Sequence, residues 1–348
     1  MTPSDAVVHA ARFFDGVSVR DGMLTSTGGG MTLVAGAAPA GTPRLDGLVT
    51  GRFTDHHVHL QLVDHTLLAG SRLGTVVDLG AEPGWIRALT DNRPAHNSGD
   101  SGPARPDRAL AAPNRAVSPE LRPRIRYAGP FLTAVGGYPS DRAWAPAGSV
   151  REIADADDAA RAVEEATAAG ASIIKVVAHS EAGAVLDDDA IRAIVHRAAE
   201  HRLPVVAHAE GRGQAQRVVR LGVTVLAHAP FSERLTDDEI AAQAASATWI
   251  STMAIHDDEA RVIVTDNMSR FAAAGGVVVY GSDMGNGPMP VDLREAEINV
   301  LRDAGVDGIA LLTALAPADP LIVGAPLLLL PDDDPNRAHH LTTTDLEH

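Results

Sequence analysis

The chain has 348 residues, 45% of them apolar, and a formal net charge of −16. That length suits one barrel-sized domain, and an acidic balance without basic clusters excludes nucleic acid and anionic membrane surfaces as partners. There is no cysteine, which excludes a disulfide framework and thiolate ligands and leaves any metal to histidine, carboxylate or similar nitrogen and oxygen donors.

In chain order, the opening "MTPSDAVVHAARFFDG" lacks a basic segment ahead of a long apolar run, so no signal peptide is read. Residues 1–50 are rich in Gly, Thr and Val with "DG" and "GGG" turn signals, which predicts short strands in a small β domain. From residue 52 short β-branched runs alternate with helical stretches. The expected strands cover 52–60, 74–80, 124–132, 171–178, 204–209, 223–229, 248–253 and 277–283. Amphipathic helices are expected over 187–202, which opens on aspartates, and 258–275, which closes on Gly275. Alternating strands and helices imply a parallel sheet with right-handed crossovers. Eight such units in about 250 residues predict an α/β fold of the (β/α)8 TIM-barrel type over 51–317. A doubly wound open sheet competes, but no G-x-G-x-x-G follows the first strand. The Pro-, Gly- and Asn-rich segment 91–123 reads as a long loop, and the polar tail from 331 as a fraying end. "PLIVGAPLLLLP" is far below the roughly 20 residues of a membrane span. The expected location is cytoplasmic.

Active sites of barrels form at the C-terminal strand ends, so the polar residues there carry the functional argument. "RFTDHHVHLQL" supplies His57 and His59, two apart and on one side of a strand, with Asp55 in phase and His56 facing away. Later strands supply Lys175, His208, His228 and Asp283, each within an apolar run where an unsatisfied polar group is costly. A lone histidine there is more often a hydrogen-bonded core residue, and Lys175 alone suits a buried ion pair with Asp283. Placement of the set on five strands favours a nitrogen-and-oxygen site for one or two divalent ions. His196 and His201 on a helix, and His339, His340 and His348 in the tail, read as solvated surface.

The segments "FTDHHVH", "IIKVVA", "VVAHAE", "VLAHAP" and "YGSDMGNG" resemble the amidohydrolase superfamily of metal-dependent hydrolases, in its prolidase and imidazolonepropionase-like branch. The resemblance spans roughly 50–317. It implies that His57, His59 and Asp283 bind a first ion and His208 and His228 a second. It also implies that Lys175 bridges both after CO2 converts it to a carbamate. Two divalent ions, foremost Zn2+, are the implied cofactors. The segments 1–50 and 318–348 match the small β domain that accompanies such barrels, here with a truncated second half.

The implied activity is hydrolysis of a carbon–nitrogen, amide-type bond by a metal-activated hydroxide, with Asp283 as the catalytic proton carrier. A mononuclear deaminase, or a lactonase or phosphotriesterase-like hydrolase on the same fold, is the alternative. A deaminase often carries Glu three residues after the strand-five histidine; that position is Gly211 here, although Glu210 is adjacent. Tyr138, Trp144, His179, Glu181 and His256, on loops after strands, are candidates for substrate binding. The expected partner is a small-molecule substrate, and a homo-oligomer is compatible with the sequence.

Overall fold

The computed structural model describes residues 7–27, 30–91 and 122–347. The strands are β1 (Val7–Phe14), β2 (Val19–Thr27), β3 (Gly30–Ala35), β4 (Arg44–Gly51), β5 (Phe53–Val58), β6 (Leu73–Asp78), β7 (Arg124–Tyr127) and β8 (Phe131–Ala134). They continue as β9 (Val150–Ile153), β10 (Ile174–His179), β11 (Val205–Glu210), β12 (Val225–Leu226), β13 (Thr248–Ile250), β14 (Val277–Val279), β15 (Leu327–Leu330) and β16 (His339–His340). The helices are α1 (Pro83–Thr90), α2 (Ala156–Ala168), α3 (Asp188–Glu200), α4 (Gln214–Arg220), α5 (Asp237–Ala244), α6 (Asp258–Ala273), α7 (Glu295–Asp303) and α8 (Gly308–Ala314). The molecule is a mixed α/β structure with parallel-strand sheets. Among the described residues no helix is long and apolar enough to cross a membrane.

β1 to β4 join β15 and β16 in a six-stranded sheet of order β16-β15-β4-β1-β2-β3. The β1–β2 turn forms where Asp15 accepts hydrogen bonds from the Val17 and Ser18 amides and Gly16 takes φ 96°. Side-chain alternation splits this sheet between two cores. Phe13, Val49, Leu327 and Leu329 pack into a separate cluster, while Phe14, Leu48, Leu328 and Leu330 face the main core.

β5, β6 and β7 form a parallel three-stranded sheet, and the remaining strands a parallel sheet of order β14-β13-β12-β11-β10-β8-β9. The amides of His56 and His59 donate to Tyr280 O and Met284 O at 3.0 and 2.7 Å. These bonds tie β5 to the segment after β14. At the opposite side Ser172 N donates to Tyr127 O, linking β7 to the start of β10. The helices start where side chains satisfy their first amides: Asp155, Asp187, Thr236 and Asp257 cap α2, α3, α5 and α6.

Three expectations change. The run 124–132 is two strands in different sheets, because Gly129 takes φ 77° and Pro130 has no amide to donate. β9 was not expected. The tail does not fray: Leu341 and Leu346 are buried, and Thr342 and Asp345 form a capping box over the last turn. The long loop expected at 91–123 lies almost wholly outside the described residues.

Candidate metal centre

β5 delivers His57, and His59 follows one residue past its end. Asp55 fixes this strand. Its carboxylate accepts from the His57 amide at 3.0 Å, and from the Ser282 amide and hydroxyl at 3.1 and 2.5 Å. Burial raises its pKa to about 7, opposed by those hydrogen bonds. Asp55 therefore staples β5 to the segment carrying Asp283. Asp78 does the same for the turn beyond His59, accepting from the Leu60 and Gly80 amides.

His57 Nε2 and His59 Nε2 lie 3.3 Å apart, and each is 3.2 Å from Asp283 Oδ1. One donor atom from each of these buried residues falls within 4.8 Å of the others. His57 Nδ1 is 2.8 Å from Ala227 O; a carbonyl only accepts, so Nδ1 carries the proton and Nε2 offers a lone pair. Burial depresses the pKa of His57 and His228 well below 6.5, so both are neutral. Asp283 Oδ1 is buried without a well-formed hydrogen bond, while Oδ2 accepts from Asn286 Nδ2 at 2.9 Å. Converging lone pairs around an unsatisfied carboxylate oxygen fit a divalent cation and poorly fit a self-sufficient polar core.

The other expected ligands border the same space. A cavity of about 410 Å3 is lined by His57, His59, Lys175, His208, His228 and Asp283. The His228 ring is 4.8 Å from both the His57 and His208 rings. His228 Nδ1 lies 2.8 Å from Thr252 Oγ1. Thr252 at φ 41° and Asp283 at φ 54° sit in the left-handed region, a strained conformation for side-chain-bearing residues that concentrates at functional sites. Lys175, the second residue of β10, is 1% exposed. Desolvation lowers its pKa to about 7, partly offset by Asp283 and Asp78.

Tyr138, Trp144 and His256 also line the cavity. Burial lowers His256 to about 4, which leaves it neutral, and its ring lies tilted 4.0 Å from that of Phe231. His179 packs behind Tyr138 at 4.9 Å rather than lining the space. Glu181 is exposed: β10 ends at His179, and the chain turns outward. Glu210, which the sequence offered only as a neighbour of the deaminase position and not as a substrate-binding candidate, lines the cavity. Glu210 Oε2 lies 3.0 Å from His208 Nε2 and 3.3 Å from His179 Nε2. Burial works to raise the Glu210 pKa, but the His208 hydrogen bond and nearby imidazoles leave it lowered. Its signal was the two-residue spacing from His208, which puts both on one strand face.

No protein-family model matches the chain, and no curated protein matches it. Solved structures do. A Xaa-Pro dipeptidase with methionine bound in its active site superposes with a TM-score of 0.63 at 16% identity, covering 94% of each chain. The ochratoxinase of A. niger gives 0.66 at 13% identity, over 98% of this chain and 95% of that one. An amidohydrolase gives 0.63 at 16% identity, over 98% and 94%. At these identities the likeness is one of fold, and the chain has the fold of amidohydrolase and dipeptidase structures.

Proposed function

We propose that the protein is a metal-dependent hydrolase of carbon–nitrogen, amide-type bonds. The observation that carries this reading is the buried His57–His59–Asp283 trio at a cavity also lined by Lys175, His208 and His228. Its structural neighbours include a Xaa-Pro dipeptidase and an amidohydrolase, which supports it. In this reading β5, β6, β7, β10, β11, β12, β13 and β14 make an eight-stranded barrel over 51–317, flanked by a β domain from 1–50 and 318–348. The backbone bonds from His56 and His59 to Tyr280 and Met284 support such closure.

His57, His59 and Asp283 would hold one ion, and His208 and His228 a second, with zinc the best match to this donor set. Lys175, carboxylated by CO2, would join them through its carbamate oxygens. Bound divalent ions supply a Lewis acid that polarises a carbonyl and acidifies water. The chain's own residues do the rest. Ala227 O and Thr252 Oγ1 orient the His57 and His228 rings. Asn286 orients the Asp283 carboxylate through Oδ2; with Oδ1 facing the His57 and His59 nitrogens, Oδ2 would be the oxygen that takes a proton from water and returns it to the departing nitrogen. Phe131, Tyr138, Trp144 and Phe231 give the cavity aromatic walls.

Metal content of the purified protein, measured beside hydrolysis of N-acyl amino acids, dipeptides, lactones and aminopurines, tests this reading. Amide or dipeptide turnover that a chelator removes and zinc restores is expected. Metal-independent turnover, or activity confined to aminopurines, contradicts it.

A further inference from the structure

We propose that Glu210, with Tyr138 and Trp144, forms a subsite for a primary ammonium group of the substrate, a few bonds from the bond that is cut. As a substrate class this rests on the hydrolase reading above; as a binding site it stands alone.

Among the described residues lining the cavity, the ionisable aliphatic side chains are Lys175, Asp283 and Glu210. Lys175 and Asp283 belong to the metal centre. Glu210 is the carboxylate left on the wall, and no arginine lines the space. Both histidine nitrogens beside it engage Oε2, and neither engages Oε1. Its side chain is 25% exposed, so it meets the cavity without being fully sealed. A partly buried carboxylate favours a cationic ligand and disfavours an anionic one.

Aromatic faces complete the subsite. Tyr138 and Trp144 lie 6.0 Å apart between centroids, and the Tyr138 ring is tilted against that of His208 at 5.8 Å. Such faces attract a desolvated ammonium. Glu210 stands two residues beyond His208 on the same strand face, roughly 6.6 Å along β11, which sets the reach from the reacting bond. The net charge of −16 draws cations toward the molecule. The nearby guanidinium, Arg142, lies over the Tyr138 ring at 5.4 Å and is paired with Asp141 at 3.3 Å; it does not line the cavity.

The test uses three probes that differ at one group: the N-acetyl amides of lysine, norleucine and glutamate. Binding to the metal-loaded protein is read by calorimetry and hydrolysis by released amine. The lysine probe is expected to bind about 10- to 100-fold more tightly than the norleucine probe, the range of a hydrogen bond to a charged group. Glu210→Gln, which keeps an oxygen for His208, should erase that ratio while near-ultraviolet circular dichroism stays native. Equal binding of lysine and norleucine probes overturns the proposal. Preference for the glutamate probe also overturns it and points to Arg142. A lysine preference without hydrolysis of any probe leaves the subsite standing and counts against the hydrolase reading alone.

Discussion

Asp283 is asked to do two things with two oxygens: ligate at the trio and carry a proton. Asp283→Asn keeps an oxygen donor but removes the proton acceptor. Turnover should therefore fall by about 10²–10⁴-fold with much of the metal retained, as checked by elemental analysis of the same sample. Turnover near that of the unaltered protein with metal bound would assign the proton to another group, with His256 of the cavity wall a candidate. Lys175 separates two readings more sharply. As a carbamate bridge, Lys175→Ala loses at least one ion and nearly all activity, and added formate or acetate restores part of both. As an unmodified lysine beside Asp283, the same change leaves an unpaired buried carboxylate. Stability then drops, and added acid changes neither metal nor rate.

At the scale of the elements, the site depends on how closely β5 approaches the segment after β14. A Cβ on Gly281 would meet the Ile250 side chain and crowd His57 Cβ at 3.1 Å. Gly281→Ala should lower the melting temperature by several degrees and weaken metal binding together, a coupling that a substitution at exposed Gly305 should not show. On the far side, Arg151 of β9 grips Asp158 of α2 through two hydrogen bonds of 2.7 and 3.1 Å. That pairing holds the Asp158 carboxyl at about 2 instead of 3.8. The folded value lies below the unfolded one, so the stabilisation is complete above about pH 4 and is lost as pH falls toward 2. Asp158→Asn should flatten that part of an acid-unfolding curve, less so at high salt. The cavity-lining histidines were legible because "FTDHHVH" and "VVAHAE" place polar residues in phase on apolar strands. β9 was not: "SVREI" is too short and too polar to stand out, and its register comes from pairing with β8. Nor was the docked tail, whose Leu341 and Leu346 show no period until the β4–β15 sheet gives them a surface.

In the whole molecule a parallel α/β body adjoins a six-stranded sheet, and side chains from distant strands gather around one cavity. The central claim is that the His57–His59–Asp283 trio holds a divalent ion. The most direct measurement is an anomalous difference map at the zinc edge, from crystals grown with zinc. The account predicts a peak about 2.0–2.2 Å from His57 Nε2, His59 Nε2 and an Asp283 oxygen. Zinc found only at surface sites, with the three side chains closed on one another by hydrogen bonds, would contradict it.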